Sequence, residues 1–247
     1  MILNKQRLDQ VLFNRNLAES RNKAKAMIMA GQVFVDGKKI EKSGFNISHD
    51  AEIEIKKLSS KWVSRGARKL ITALDKNKIN VKDKICIDLG SSTGGFTDAL
   101  IQSGAEKVYA VDVGTNQLHE KLKNNIKVIS IEKTNARYLT KELIQDLSDI
   151  MVCDVSFISL KKVIEPNLHL LKNDSIIIAL IKPQFESKKN ETKKGVVKDS
   201  SIHERICNEI SEWFKNQCGC KILSIIESPI KGPKGNIEFL ISVKYQK

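Results

Sequence analysis

The 247-residue chain has few cysteines and no long apolar run, and each shortage argues against a class of protein. Its five cysteines are an odd and sparse set, which does not suit a secreted fold held together by disulfides. The first residues, Met1 to Arg7, lack the apolar core of a signal peptide. The longest wholly apolar stretches, such as 176–181, are far shorter than the roughly 18 residues that cross a bilayer. These absences predict a cytoplasmic globular protein.

Positive charge, by contrast, is in excess and unevenly distributed. The 42 basic and 29 acidic residues leave a net charge of +13. Residues 1–69 hold 15 basic and 7 acidic side chains, so this first quarter carries +8 and the remainder +5. A cationic excess fits a polyanionic partner, either nucleic acid or an anionic membrane surface. The distribution predicts a basic head at 1–60, a linker at 61–65 and a larger body at 66–247.

The head shows helical patterns followed by strand patterns. Apolar residues have helical spacing within 3–17, and a second helix is predicted between the N-cap Ser20 and Gly31. Basic residues crowd the start of that second helix, which suits a phosphate docked there. Strand patterns follow at 33–35 and 45–56, separated by a turn at Asp36-Gly37.

Three runs in the head resemble the S4 RNA-binding domain. They are Arg7-Leu-Asp-Gln-Val-Leu12, Ala18-Glu-Ser-Arg-Asn-Lys-Ala24 and Ile28 to Gly37. The resemblance implies that a two-helix face grips the RNA backbone, with Arg7, Arg21 and Lys25 at phosphates. Such contacts position a protein on RNA without reading its sequence. Without the resemblance, each of these residues is equally well explained as a solvated surface cation.

The body alternates apolar strand patterns with amphipathic helical ones. This alternation predicts an α/β protein with a doubly wound, Rossmann-like sheet. Seven runs have the composition of strands: 85–89, 108–113, 128–131, 150–154, 175–181, 221–227 and 238–245. The connection between the last two is too short for a crossover helix, so we expect them to pair antiparallel.

A glycine-rich turn follows the first of these strands. Its candidate cofactor-binding residues are Asp88, Gly90, Ser91, Ser92, Thr93, Gly94, Gly95 and Phe96. Such a turn lets a cofactor approach the backbone closely. The spacing departs from the Gly-x-Gly-x-x-Gly of dinucleotide folds, and Asp88 would disfavour a pyrophosphate but accept the cationic amino-acid part of S-adenosylmethionine. The turn therefore favours S-adenosylmethionine over NAD, and a turn that serves only packing is the alternative.

Two further polar residues stand at the ends of the next strands. Asp112 ends the second strand, where a carboxylate can accept hydrogen bonds from ribose hydroxyls. Asn135 follows the third strand, where a side-chain amide could bind an adenine edge; a simple turn role is the alternative. Both residues are predicted to bind the cofactor.

Lys182 ends a strongly apolar strand, where a charge is costly unless it is paired or functional. A ribose 2′-hydroxyl is a poor nucleophile while it holds its proton, and a desolvated lysine beside a second cation could take that proton. Lys69 is the candidate second cation, and Asp154 and Glu238 would hold the two ammonium groups. Two lysines and two acids form a neutral set, so their burial is tolerable. An ordinary ion-pair network near a cleft is the alternative.

Other chemistries fit the sequence less well. The fourth strand ends in Cys153-Asp154-Val155-Ser156-Phe157, unlike the Asn/Asp-Pro-Pro-aromatic loops that serve base amines. Cys153 lacks the neighbouring proline expected of a nucleophile for pyrimidine C5, so we interpret it as a buried thiol. The pair Cys218 and Cys220 lacks further ligands, so no metal is expected.

Motifs across both parts of the chain resemble the TlyA (haemolysin A) family, in which an S4 domain is fused to an FtsJ-like methyltransferase. They are Ser64-Arg-Gly66 with Lys69, Asp88 to Asp98, Val111 to Leu118, Cys153 to Ser159, Ile181 to Glu186, Gly195 to Asp199 and Gly232 to Asn236. The resemblance implies S-adenosylmethionine-dependent 2′-O-methylation of cytidine in 23S rRNA and, for some members, in 16S rRNA.

The same resemblance implies roles for individual residues. It implies a catalytic tetrad of Lys69, Asp154, Lys182 and Glu238, with Asp154 also at the cofactor. We expect Arg65 and Arg68 to grip RNA phosphates beside this site. The aromatic rings of Phe157 and Phe185 are candidate stacking partners for the target nucleotide. Ala67 departs from the second glycine that is common in the family.

Three rival functions differ in class from this enzyme. A pore-forming haemolysin is disfavoured because signal and apolar runs are lacking. A non-catalytic assembly factor for the ribosome is disfavoured by the intact Asp88, Gly90 and Asp112 and the complete tetrad. A pseudouridine synthase with an S4 domain is disfavoured by the cofactor loop. A monomer and a dimer are both compatible with the sequence.

Overall fold

The computed structural model describes residues 5–29, 31–48, 50–56 and 61–246. The chain divides into two compact units, Met1–Lys61 and Trp62–Lys247. Each unit has hydrophobic clusters of its own. Trp62 and Val63, inside the segment expected to be a linker, pack against hydrophobic clusters of the body.

The head combines two helices with short antiparallel strands. Its elements are β1 (Gln6–Arg7), α1 (Leu8–Asn14), α2 (Arg21–Met29), β2 (Val33–Val35), β3 (Lys38–Lys39), β4 (Asn46–Ile47) and β5 (Ile53–Ile55). Strand β2 lies between β3 and β5, and β1 pairs with β4. Leu8, Leu12 and Ile28 from the two helices are fully buried in the head's core.

Local signals at the ends of these elements act as the sequence predicts. The Ser20 hydroxyl accepts a hydrogen bond from the backbone N–H of Lys23 at 3.1 Å, which caps α2. Asp36 and Gly37 both have positive φ, as a tight turn between β2 and β3 requires. The first helix is shorter than the predicted 3–17, because Gln6 and Arg7 are extended and pair with Ile47 and Asn46.

The body is a seven-stranded sheet flanked by helices. Its strands are β6 (Ile85–Leu89), β7 (Lys107–Val111), β8 (Val128–Ile131), β9 (Ser148–Cys153), β10 (Leu171–Ile181), β11 (Cys220–Glu227) and β12 (Phe239–Tyr245). Its α-helices are α3 (Ala67–Asn77), α4 (Gly95–Gln102), α5 (Glu120–Lys123), α6 (Lys161–Ile164), α7 (Pro183–Glu186) and α8 (Ser200–Cys218). Single turns of 3₁₀-helix lie at Ala136–Tyr138, Lys189–Glu191 and Pro233–Gly235, and a longer one at Glu165–Leu170. All seven predicted strands are confirmed, and the predicted fold class with them.

The strand order places one crevice at the carboxyl edge of the sheet. The order is β11-β12-β10-β9-β6-β7-β8, with β6 to β10 parallel and β12 antiparallel to both of its neighbours. The antiparallel pairing of the last two strands is therefore confirmed. The chain runs outward from β6 to β8 and then returns to β9 on the other side of β6. Ligands bind at such a reversal, outside the carboxyl ends of the strands.

Both faces of the sheet are buried, and side chains alternate between them. Ile87, Met151 and Ile177 belong to the cluster that also contains Phe214 of α8. Their neighbours in sequence, among them Cys86, Val152 and Ile178, belong to the opposite cluster with α3 and α4. This alternation follows from the two-residue period of a strand. No helix within the described ranges is long and apolar enough to cross a membrane.

Candidate active site

The four tetrad residues lie together at the carboxyl edge of the sheet. Lys69 is in the first turn of α3, Asp154 and Lys182 directly follow β9 and β10, and Glu238 directly precedes β12. Because β12 runs antiparallel to β10, with Phe239 opposite Ile181, its start lies beside the end of β10. The topology thus explains why residues so distant in sequence meet.

These side chains form a chain of alternating charges. The Lys182 Nζ lies 2.6 Å from Asp154 Oδ1, and the Lys69 Nζ lies 3.9 Å from Asp154 Oδ2 and 2.7 Å from Glu238 Oε2. Side-chain exposure is 9% for Lys182, 11% for Lys69 and 1% for Glu238. A buried charge without a counter-charge is strongly destabilising, so this alternation is what permits the burial.

Lys182 is the tetrad lysine that lines a cavity. Its ammonium also donates a hydrogen bond to the Ser156 hydroxyl at 2.9 Å. The cavity holds about 190 Å³ and is lined by Ser64, Gly66, Gly90, Ser91, Ser92, Thr93, Gly95, Phe96, Asp154, Ser156 and Lys182. The glycine-rich turn and Lys182 therefore face the same space. Phe96, in the first turn of α4, is 3% exposed and packs in the hydrophobic core.

Glycines allow the backbone of the turn to lie close to the ends of the neighbouring strands. Gly90 has φ +82, and a Cβ there would lie 2.9 Å from the carbonyl oxygen of Asp154. Gly94, also at positive φ, precedes α4, and a Cβ there would collide with Leu122. The helix begins at Gly95 and not near Thr97, so the turn is shorter than expected. Larger residues at these positions would close the crevice or displace its walls.

Asp88 is fully buried behind the turn and does not line the cavity. Its Oδ2 accepts a 2.6 Å hydrogen bond from Thr97, whereas its Oδ1 has no donor among the described residues. Burial raises the pKa of this carboxyl to about 7; the Thr97 hydrogen bond opposes the rise, and the charges of Asp154 and Asp112 add to it. A buried acceptor that lacks a donor fits a cationic ligand such as the ammonium of S-adenosylmethionine.

Asp112 and Asn135 already have partners in the protein. The two Asp112 oxygens accept backbone hydrogen bonds from Ser92 at 2.8 Å and Gly114 at 2.7 Å, so this carboxylate also shapes the turn. Asn135 caps the short helix Ala136–Tyr138 through its hydrogen bond from the Arg137 N–H. The turn role left open for Asn135 is thus observed, and its contact with an adenine edge stays a prediction.

The predicted RNA-binding residues differ in their surroundings. Arg7 and Arg21 are half-exposed and both contact Asp9, whereas Lys25 is only partly exposed. In the body, Arg65 and Arg68 are exposed at the start of α3. Ala67, which lies between them in sequence, is fully buried. Its φ is not positive, so an alanine in place of the family's glycine causes no left-handed backbone strain.

Phe157 does not belong to the core. It is 90% exposed and has φ +66, a region that bulky residues rarely adopt. Its ring lies 5.1 Å from that of Phe185, which is partly buried. Phe157 lies on the loop after Asp154, and Phe185 lies in α7, directly after Lys182, so an aromatic surface adjoins the tetrad.

Several residues that position the site are not predicted from the sequence. Ser156 holds Lys182, and its spacing of two from Asp154 at a strand end could have indicated it. Asp98, 1% exposed, accepts a hydrogen bond from the Val63 N–H and so fixes the approach to α3. Asn236, 3% exposed, bonds Gly195 and Val197 and joins the loops before α8 and β12. The sequence signal for Asn236 is only its place in a family motif.

The cysteines are consistent with structural thiols. Cys153 is fully buried, and this burial raises the pKa of its thiol well above the usual range. The interpretation of Cys153 as a buried thiol is therefore confirmed. Across the residues described, no group of three or more His, Cys, Asp or Glu side chains is arranged to hold a metal ion.

Comparison with known families gives the same division of the chain. The FtsJ-like methyltransferase family matches residues 62–245, and the S4 domain matches residues 6–53. Fold and site together define an S4 domain joined to a methyltransferase of the FtsJ-like class.

Individual relatives match over nearly the whole chain. Hemolysin A of Brachyspira hyodysenteriae is 44% identical over 95% of this chain and 98% of its own length. The 16S/23S rRNA (cytidine-2′-O)-methyltransferase TlyA of Mycobacterium tuberculosis is 38% identical over 97% of this chain and 90% of its own. The solved structure of a candidate hemolysin from Streptococcus thermophilus matches with a TM-score of 0.77 at 39% identity, covering 99% of this chain and 90% of that one. The chain belongs to the TlyA (haemolysin A) family.

Proposed function

We propose that the protein transfers a methyl group from S-adenosylmethionine to the ribose 2′-oxygen of cytidine in ribosomal RNA, with 23S rRNA as the main substrate and 16S rRNA as a second one. The observation that carries this proposal is the ion-pair chain from Glu238 through Lys69 and Asp154 to Lys182, which ends at the cavity beneath the glycine-rich turn. The name of the Mycobacterium tuberculosis relative, a 16S/23S rRNA (cytidine-2′-O)-methyltransferase, supports it. Ribosomal RNA as substrate would place the protein in the cytoplasm.

Specific residues would hold the cofactor. The backbone of Gly90 to Phe96 would contact it, with Asp88 toward its ammonium, Asp112 toward its ribose and Asn135 toward its adenine. Asp154, which lines the cavity, would lie beside it. When bound, S-adenosylmethionine supplies an electrophilic methyl carbon.

We assign to Lys182 the role of positioning and deprotonating the ribose 2′-hydroxyl. Its ammonium forms an ion pair with Asp154 and donates a hydrogen bond to Ser156, so it has a fixed position at the cavity wall. From there the lysine nitrogen would hold the 2′-oxygen for attack on the methyl group. To act as the base, Lys182 must first lose one proton to solvent, so that its neutral amine can receive the proton of the 2′-hydroxyl. Lys69, held by Glu238, adds a second positive charge that stabilises negative charge developing on the oxygen.

The remaining candidate residues would hold the RNA. Arg7, Arg21 and Lys25 in the head and Arg65 and Arg68 in the body would contact phosphates. The exposed ring of Phe157, packed on Phe185, would stack on a nucleotide drawn out of its helix.

The Lys182→Ala substitution tests the catalytic assignment. We expect methyl transfer to 23S rRNA to fall by at least about 100-fold, because the group that positions and deprotonates the 2′-oxygen is lost. S-adenosylhomocysteine should still bind. The measurement is incorporation of labelled methyl groups into ribosomes from a strain that lacks the protein.

Lys172→Ala is a matched control for this test. Lys172 lies on the same strand, β10, and pairs with Asp149 at 3.0 Å, away from the cavity. This variant should keep near-normal turnover. Near-normal turnover in Lys182→Ala would contradict the assignment. RNA binding without any methyl transfer by the unaltered protein would favour an assembly factor, and lysis of liposomes without cofactor would favour a haemolysin.

A further inference from the structure

Asp9 is a buried acid that lies between two of the head's exposed cations. Its side chain is fully buried in the first turn of α1. It accepts hydrogen bonds from Arg7 Nε and Nη2, both at 3.0 Å, and from Arg21 Nη2 at 3.5 Å. Arg7 belongs to β1 and Arg21 begins α2, so one carboxylate joins three elements.

The two arginines share one oxygen atom of this carboxylate. Nη2 of Arg7 and Nη2 of Arg21 both contact Asp9 Oδ2. Their side chains are nevertheless 49% and 48% exposed, so each presents part of its guanidinium to solvent. Nε and Nη2 of Arg7 donate to Asp9, which fixes the plane of the guanidinium group. The N–H donors of Nη1 are not used by this carboxylate.

We propose that Asp9 is a positioning residue that joins Arg7 and Arg21 into one phosphate-binding clamp. This inference rests on the proposed RNA substrate and assigns the head's part in holding it. A flexible arginine loses conformational freedom when it binds a phosphate, and an arginine that is already held loses less. The carboxylate thus prepares both guanidinium groups before RNA arrives.

If Asp9 acted only through its charge, its removal would change RNA affinity in the direction opposite to that expected from positioning. The direction of the change in affinity therefore tests the proposal. A carboxylate near a phosphate site lowers the local positive potential, so its removal should strengthen binding if only net charge matters. Positioning predicts weaker binding upon its removal. Hydrogen bonds from Arg7 hold the pKa of Asp9 below its usual value although burial opposes this, so the acid is ionised at neutral pH.

The experiment compares Asp9→Asn with Glu19→Gln. Both substitutions remove one negative charge from the head, and Glu19 is exposed. The probe is transcribed 23S rRNA, and its affinity is measured by filter binding at several salt concentrations. We expect Asp9→Asn to bind about five- to tenfold more weakly, in line with the freedom regained by two long side chains, and Glu19→Gln to bind at least as tightly as the unaltered protein.

Affinity in Asp9→Asn equal to or greater than that in Glu19→Gln would overturn the inference. If thermal unfolding shows that Asp9→Asn disrupts the head, Arg7→Lys replaces it, because lysine keeps the charge and loses the fork. Arg7→Lys should then bind more weakly than Arg15→Lys, whose arginine bonds the Ala51 carbonyl instead, and equal affinities would contradict the clamp. Failure of the unaltered protein to bind 23S rRNA would refute the proposed function itself.

Discussion

At the scale of single residues, the ionisation of Asp88 should control cofactor binding. Its pKa is raised to about 7 by burial, so near neutral pH the cofactor-free protein carries this carboxyl partly protonated. A cofactor ammonium beside it would favour the ionised form and lower the pKa. Binding would then release a proton. The affinity should therefore be full above about pH 7 and decline as pH falls below it, by at most about tenfold per pH unit.

Calorimetry with S-adenosylhomocysteine, which carries the same ammonium, checks this expectation. Titrations from about pH 6 to about pH 8, in buffers of different ionisation enthalpy, report both the affinity and the released proton. In Asp88→Asn the pH dependence should vanish and the affinity at the upper pH should be lower. An equal slope in the variant and the unaltered protein would show that another group titrates.

The sequence predicts which residues form the tetrad better than it predicts what holds them. Strand ends identify Asp154, Lys182 and Glu238, because the carboxyl ends of the parallel strands and the amino end of the antiparallel strand β12 share one edge. The contact of Ser156 with Lys182 depends on rotamers and loop packing, which have no sequence period. The meeting of Arg7 and Arg21 at Asp9 depends likewise on the packing of β1 against α1 and α2.

At the scale of elements, the turn after β6 should tolerate no side chain at Gly90. An alanine there would adopt a left-handed conformation and would also press its Cβ against the Asp154 carbonyl, at 2.9 Å. Gly235 is a matched control, because its φ of +83 is nearly that of Gly90 (+82) and a Cβ there would meet no described residue within 4 Å. The two glycines thus separate backbone strain from steric collision.

We expect Gly235→Ala to lower the free energy of unfolding by about 1–2 kcal/mol, the cost of a left-handed alanine. Gly90→Ala should cost about 1–3 kcal/mol more, because overpacking adds to that strain. It should also weaken S-adenosylhomocysteine binding, since Asp154 lines the same cavity. Urea unfolding and calorimetry measure the two effects, and equal losses in both variants would contradict the steric argument.

The body's strands were predictable because each combines a run of apolar residues with a defined position between helices. The short connection before β12 predicts that this strand pairs antiparallel with β11. It does not predict that β12 lies between β10 and β11. The predicted start of α1 is wrong because Gln6 pairs with Ile47, and this pairing is a long-range contact. Such contacts override local helical spacing, and a local pattern cannot reveal them.

At the scale of the whole molecule, the division between binding and chemistry is less sharp than the charge count along the sequence suggests. Arg65, Arg68 and Lys69 belong to the basic first quarter of the chain, yet all three lie in the unit Trp62–Lys247. Lys69 is part of the tetrad, and the two arginines are exposed close to it in sequence, at the start of α3. The body therefore combines the candidate catalytic residues with candidate phosphate contacts of its own.

A salt titration tests whether Arg65 and Arg68 contribute to RNA binding. Each phosphate contact adds about 0.7 to 0.9 to the slope of log affinity against log salt, so the double variant Arg65→Gln, Arg68→Gln should lower the slope by about 1.4 to 1.8. The control is Lys76→Gln with Lys82→Gln, which removes the same charge from exposed positions near the opposite edge of the sheet. The control should leave the slope nearly unchanged. If the slope of log affinity against log salt is the same in the two double variants, the arginines contribute only to net charge and make no phosphate contacts. The head would then supply the phosphate contacts alone.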